Sequence, residues 1–245
     1  MSFWLALQFL TVLPAPRSSR VSSASLGRSL SFFPLTGLIL GAILAVLDYG
    51  LGLIMPEPVT SALLVAALAV LTGAHHLDGV ADTCDGLTAG KSREERLRLM
   101  SEPGVGALGV VGVGLVLLLK FAGLSSAGVW PVVLVMPVLG RWTAVWAIFA
   151  FPYARSSGMG LAYKEGVHWY DVVLATATAL LVTAFVLSWK GALLMLALGL
   201  VMLGVARYFV SRFGGLTGDT YGALIELSEV VMLLLVAGGS RFWAW

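Results

Sequence analysis

Apolar stretches long enough to cross a lipid bilayer recur from Ser31 to the end of the chain, and nothing else in the sequence constrains its folding as strongly. Punctuated by proline, glycine and short polar connectors, they run over about 31–55, 59–76, 105–124, 131–151, 171–189, 191–209 and 222–237. Inside hydrocarbon the backbone must satisfy its own hydrogen bonds, so stretches of this length become helices. The composition agrees: of 245 residues 59% are hydrophobic and 11% charged, against about a quarter charged in soluble domains. The sequence therefore predicts an all-α, polytopic integral membrane helix bundle with about 6–8 transmembrane helices. We read one domain over 1–245, with an interfacial helix and basic connector over 1–30 and the transmembrane bundle over 31–238. Residues 2–13 are apolar but too few to span, and they lack the basic start of a secretory signal.

Charge sets the orientation. The connectors 14–30, 77–105, 152–169 and 207–221 hold eleven of the fifteen Lys and Arg, whereas the opposite set holds only Lys190 and Arg241. The positive-inside rule places the first set in the cytoplasm, and a seven-span count then puts the N-terminus inside. A net charge of +2 gives no footing for a nucleic-acid partner. A lone cysteine, Cys84, rules out an intramolecular disulfide and a cysteine zinc cage, and is read as a small packing residue.

The chemistry gathers at the end of the second apolar run, in His75-His76-Leu77-Asp78-Gly79-Val80-Ala81-Asp82-Thr83-Cys84-Asp85-Gly86. If the run continues as a helix, Asp78, Asp82 and Asp85 fall at i, i+4 and i+7 on one face, with His75 a turn back. Three carboxylates that close repel one another, and hard oxygen ligands of this kind suit Mg²⁺, whose usual companion ligand is a phosphate. A second cluster follows at Gly214-Gly215-Leu216-Thr217-Gly218-Asp219-Thr220-Tyr221-Gly222, continuing to Glu226 and Glu229. Asp219, Glu226 and Glu229 again share a helical face, and the glycines open backbone N–H groups beside a helix start, a setting for an anion. Thr217 or Thr220 also suits the N-cap of that helix. Two basic residues lie within spans: Arg141, expected to face a polar interior and pair with an acid or a phosphate, and Lys120, expected to snorkel toward the headgroups.

Taken together these stretches resemble the cobalamin synthases, or adenosylcobinamide-GDP ribazoletransferases. The matching segments are Phe9-Leu10-Thr11-Val12-Leu13-Pro14, Phe33-Pro34-Leu35-Thr36-Gly37, the His76-Leu77-Asp78-Gly79…Asp82-Thr83…Asp85-Gly86 motif, 93–109, Tyr153-Ala154-Arg155 with 158–160, and 214–229. They keep the family's order over almost the whole chain. One loop departs: Ser101, Glu102, Pro103 and Gly104 stand where the family usually carries two basic residues.

The resemblance implies transfer of the cobinamide-phosphate moiety of adenosylcobinamide-GDP to α-ribazole, or to α-ribazole 5′-phosphate, with release of GMP. It also implies Mg²⁺ as cofactor and a multi-pass place in the bacterial inner membrane with the site facing the cytoplasm. Attack of a ribose hydroxyl on a diphosphate needs charge neutralisation and a base. On that footing Asp78, Asp82, Asp85 and Asp219 are the expected metal ligands. His76, Asp82, Glu226 and Glu229 are the expected catalytic residues. Arg141, Arg155, Gly215, Thr217 and Gly218 are expected to bind substrate. The partners are the two small-molecule substrates and the bilayer, with a homo-oligomer and other corrinoid-assembly enzymes left open. Two rivals compete with this reading. An ion-coupled transporter would need midplane acids and repeat symmetry. A membrane scaffold that assembles corrin-modifying enzymes leaves the converging carboxylates unexplained.

Overall fold

The computed structural model describes residues 2–16, 21–88, 92–127 and 130–239. Their helices are α1 (Ser2–Leu10), α2 (Ser23–Ser29), α3 (Phe33–Gly52), α4 (Glu57–Leu71), α5 (His75–Thr88), α6 (Arg93–Leu99), α7 (Ala107–Ala127), α8 (Trp130–Ala150), α9 (Met159–Gly166), α10 (Trp169–Leu187), α11 (Trp189–Phe213) and α12 (Gly218–Gly238). A 3₁₀ turn, Leu30–Phe32, joins α2 to α3. Six helical runs are long and apolar enough to cross a membrane: 23–52, α7, α8, α10, α11 and α12. The pair α4 and α5 makes a seventh if counted as one bent span.

That bend corrects the sequence reading, in which span two ran straight into the acidic motif. Thr72 turns its hydroxyl back onto the Leu68 carbonyl at 2.9 Å, and Gly73 and Ala74 follow with φ of +61° and +57°. Two successive left-handed residues cannot continue a right-handed helix, so α5 leaves α4 at 89°. We read α4 as the crossing limb and the polar α5 as lying across the end of the bundle. A smaller correction concerns the last hairpin. Ser188, at φ +57°, makes the break between α10 and α11, and Lys190 belongs to α11.

Two helices form the centre. α8 is buried along most of its length, and Pro137 in its middle removes one backbone donor. Gly37 and Gly41 of α3, four residues apart, meet this stretch: a Cβ on either would lie 2.5 Å from the Pro137 carbonyl oxygen or 2.1 Å from that of Leu134. This is the small-xxx-small packing by which membrane helices approach closely. α12 is the other central helix and packs against α5, α7 and α8. Its start is fixed by a capping box: the Thr217 side chain accepts from the Thr220 N–H at 3.2 Å, and Thr220 Oγ1 accepts from the Thr217 N–H at 2.7 Å.

Candidate active site

Glycine brings the two acidic elements together. A Cβ on Gly79 of α5 would sit 2.5 Å from the Asp219 carbonyl oxygen, and one on Gly222 of α12 would sit 3.1 Å from the His76 Cα. The two helices therefore touch backbone to backbone, which places Asp78 and Asp82 beside the first turn of α12 and its Asp219. Burial and the neighbouring carboxylates of Asp219 and Asp78 push the Asp82 carboxyl up to about 6, with Arg155 opposing them. Burial and like charge both disfavour its ionised form.

One guanidinium reaches the cluster. The loop after α8 pairs with the connector before α12 through a parallel bridge, Tyr153 with Leu216. Its bonds run from the Ala154 N–H to the Leu216 carbonyl at 2.7 Å and from the Leu216 N–H to the Pro152 carbonyl at 2.8 Å. Arg93 of α6 adds a third, donating to the Ala154 carbonyl at 2.8 Å. So clamped, the loop delivers Arg155, whose Nη2 donates to Asp219 Oδ2 at 3.0 Å while its Nε is buried without a partner among the described residues. Tyr153 stacks on Tyr221 of α12, and burial raises its hydroxyl above the ordinary tyrosine range, so it stays protonated at neutral pH.

Asp85 does something the sequence reading missed. Its two oxygens accept the N–H groups of Gly106 at 2.7 Å and Gly109 at 2.8 Å, so it caps the start of α7. Any side chain at either glycine would strike that carboxylate, with a Cβ 2.5 Å from one of its oxygens. Cys84 packs over Gly112 on the same helix, the small-residue role expected of it. Next to the acidic face opens a cavity of about 400 Å³ lined by Asp82, Asp85, Thr88, Glu102, Gly104 and Gly106 among others. The departing loop thus borders this cavity, where Glu102 pairs with Arg98 at 3.0 Å.

Gly215, Thr217 and Gly218 frame the start of α12 beside Asp219, while the others lie deeper in the bundle. Gly215 is pressed against the 152–154 backbone, 2.8 Å from where its Cβ would be, so its lack of a side chain serves the bridge. Thr217 is the helix cap, its hydroxyl 3.3 Å from Asp219 Oδ2, and Gly218 borders open space. Glu226 and Glu229 sit about 10 and 15 Å further along α12 at 1.5 Å per residue. There they meet Lys120 and Arg141 inside the bundle. Lys120 Nζ donates to Glu226 Oε2 at 2.7 Å and also to Glu229, and Arg141 Nη1 donates to Glu229. All four are at most 3% exposed. Gly140 leaves room for the Glu229 carboxylate, its Cβ position being 3.1 Å from Oε1. His76 is buried above them, Nδ1 4.0 Å from Glu226 Oε1, while His75 points outward.

Lys120 thus does not snorkel, because two buried acids hold it, and Arg141 pairs with an acid at zero exposure. The one signal for this in the sequence was charge matching: the two interior cations equal the two interior acids. Among the described residues no three His, Cys, Asp or Glu side chains stand close enough to enclose an ion as they are.

Comparison with known proteins identifies the family. The chain matches the family described as Cobalamin-5-phosphate synthase over residues 2–237. It is 41% identical over 243 residues to the adenosylcobinamide-GDP ribazoletransferase of Geotalea daltonii, covering 98% of each chain. It is 41% identical over 231 residues to that of Roseiflexus sp., covering 93% of this chain and 86% of the other. The relative of the same name from Desulfitobacterium hafniense is 40% identical over 244 residues, with 94% of each covered. No solved structure matches. A multi-pass helical membrane protein that carries the motifs throughout its length, the chain belongs to the cobalamin synthase family and is a transferase of cobalamin synthesis.

Proposed function

We propose that this protein transfers the cobinamide-phosphate moiety of adenosylcobinamide-GDP to a ribose hydroxyl of α-ribazole or its 5′-phosphate. The observation that carries this is the convergence of Asp78 and Asp82 from α5 with Asp219 and Arg155 at the start of α12, beside a cavity of about 400 Å³. In the reaction the hydroxyl oxygen bonds to the phosphorus that bears cobinamide. The bond from that phosphorus to the bridging oxygen breaks, and GMP leaves with that oxygen. The name carried by the relatives and the acid-rich face support the same reading.

The donor set fits Mg²⁺. All its ligand atoms are carboxylate oxygens, only one guanidinium offsets them, and burial together with the neighbouring carboxylates holds Asp82 near 6. Mg²⁺ keeps several waters and takes one or two carboxylates plus substrate phosphates, so it needs an open set and not a closed cage. Asp78, Asp82 and Asp219 would hold it; Asp85, with both oxygens engaged, would hold the α7 start in place instead. When bound, the cation neutralises the diphosphate and orients it for in-line displacement.

The chain's own groups supply the rest. Arg155 is placed to exchange Asp219 for a phosphate oxygen, a fork geometry that suits phosphate. Asp82, which lines the cavity, would accept the hydroxyl proton where the cation is held through Asp78 and Asp219. Glu226 and Glu229 support the site from below through their buried contacts with Lys120 and Arg141, with His76 beside Glu226. In this reading the membrane is the bacterial inner membrane, and the basic connectors support a cytoplasmic orientation for this end of the bundle.

The test is product identity. Purified protein in nanodiscs is given adenosylcobinamide-GDP with α-ribazole or its 5′-phosphate, and GMP and the corrinoid are resolved by chromatography. Stoichiometric GMP and a lower-ligand corrinoid are expected. Well-folded protein that yields neither with either acceptor would overturn the reading.

A further inference from the structure

At the end of the bundle away from Asp82, a cavity of about 110 Å³ lies between the end of α3, the start of α4 and Leu124 of α7. Asp48, Glu57, Thr60 and Ser61 form its polar wall. Pro56 caps the start of α4 and Pro58 lies in its first turn, and the two acids line the same cavity. Asp48 lies in the last turns of α3, and Glu57 opens α4. The two carboxylates repel each other, and among the described residues neither forms an ion pair. The nearest interior cation along α7, Lys120, is committed to Glu226 and Glu229. Ser61 Oγ donates to one Glu57 oxygen at 2.9 Å, which leaves the second oxygen of Glu57 and both of Asp48 available.

A second observation comes from Thr60. It is 4% exposed and lines the cavity, yet its Oγ1 has no partner among the described residues. A helical threonine ordinarily turns its hydroxyl back onto the carbonyl four residues earlier, as Thr72 and Thr143 do here. Thr60 keeps that carbonyl for its N–H at 3.2 Å and leaves the hydroxyl lone pairs beside the acid pair.

We propose that this pocket binds a divalent cation of the calcium type, with Asp48 and Glu57 as charged ligands and the Thr60 and Ser61 hydroxyls as neutral ones. The set is all oxygen, mixes charged and neutral donors, and has room beside them for water, which suits a cation that accepts six to eight oxygens in flexible geometry. The bound ion ties the outer ends of α3 and α4 together. Because α3 packs along α8 and α4 leads into α5, the ion stabilises the frame of the transferase site without touching the reaction. The proposal does not rest on the transfer chemistry.

The test is ⁴⁵Ca flow dialysis and thermal unfolding of the full-length protein in detergent. The parent is compared with Asp48→Asn, Thr60→Val and Asp82→Asn. The parent is expected to show a Ca²⁺ site, separate from any Ca²⁺ taken by the Asp82 face, that raises the unfolding midpoint. That site is expected to persist in Asp82→Asn, vanish in Asp48→Asn and weaken about tenfold in the isosteric Thr60→Val. Should Asp48→Asn fail to fold, Thr60→Val decides alone. Equal Ca²⁺ binding in parent, Asp48→Asn and Thr60→Val would overturn the proposal. So would stabilisation by an ethanolamine lipid with none by Ca²⁺, which would assign the pocket to a lipid amine.

Discussion

Two regions of one helix carry acids in opposite electrostatic circumstances. In the first turn of α12, Asp219 meets Asp78 and Asp82 with one guanidinium among them, and Asp82 lines a cavity. Two to three turns further on, Glu226 and Glu229 meet Lys120 and Arg141, two charges against two, with almost no exposure. The inner set is balanced and closed, which lets four ions stay inside a membrane bundle and lock α7, α8 and α12 together. The outer set is unbalanced and open, the condition of a site waiting for a cation and a phosphate. Two acidic faces that look alike in sequence thus do different work.

Substitutions can break this contrast. The largest effect is expected for Asp82→Asn. It should lower kcat by on the order of 10³-fold, about 4 kcal/mol in the barrier. Because it relieves repulsion with Asp219 and Asp78, its unfolding midpoint should equal or exceed that of the parent, as thermal scans in detergent would show. Loss of folding in this variant would contradict the unbalanced outer set.

Glu229→Gln should behave in reverse. It leaves Lys120 and Arg141 facing Glu226 alone, an uncompensated buried charge that costs about 3–5 kcal/mol of stability. Adding Lys120→Met restores neutrality and should recover part of that loss, a coupling that a double-mutant cycle on unfolding midpoints reads directly. Additive losses would mean that the inner network is not a charge-balanced unit.

Asp85→Ala probes the border between the two sets. Losing a carboxylate that caps two α7 amides should cost about 0.5–2 kcal/mol, with a smaller fall in kcat than Asp82→Asn. An activity loss as large as that of Asp82→Asn would return Asp85 to the metal. The smallest effect belongs to the exposed Arg98–Glu102 pair: Arg98→Gln should change stability by no more than about 1 kcal/mol.

Much of this was legible in the sequence, because hydropathy period and charge spacing are local properties. The spans, the one-face geometry of Asp78, Asp82 and Asp85, and the Thr217 cap all follow from residues within a few turns of one another. What was not legible depends on three-dimensional juxtaposition. The 89° turn at Gly73 and Ala74 comes from a left-handed alanine, which no sequence rule anticipates. Lys120 finds its acids 106 and 109 residues away, and Asp85 finds the amides of Gly106 and Gly109 across a loop. The glycines at 79 and 222 are explained only by the crossing of α5 and α12, which excludes a side chain at either.

The most direct test measures GMP release from adenosylcobinamide-GDP against Mg²⁺ concentration in nanodiscs, for the parent, Asp82→Asn and Glu229→Gln. Rates are normalised to folded protein. The account predicts strict Mg²⁺ dependence in the parent and collapse of the rate in Asp82→Asn. In Glu229→Gln it predicts a half-saturating Mg²⁺ concentration within about twofold of the parent's. A parent that works equally well without a divalent cation would contradict it, as would an Asp82→Asn protein that keeps the parent's rate and Mg²⁺ response.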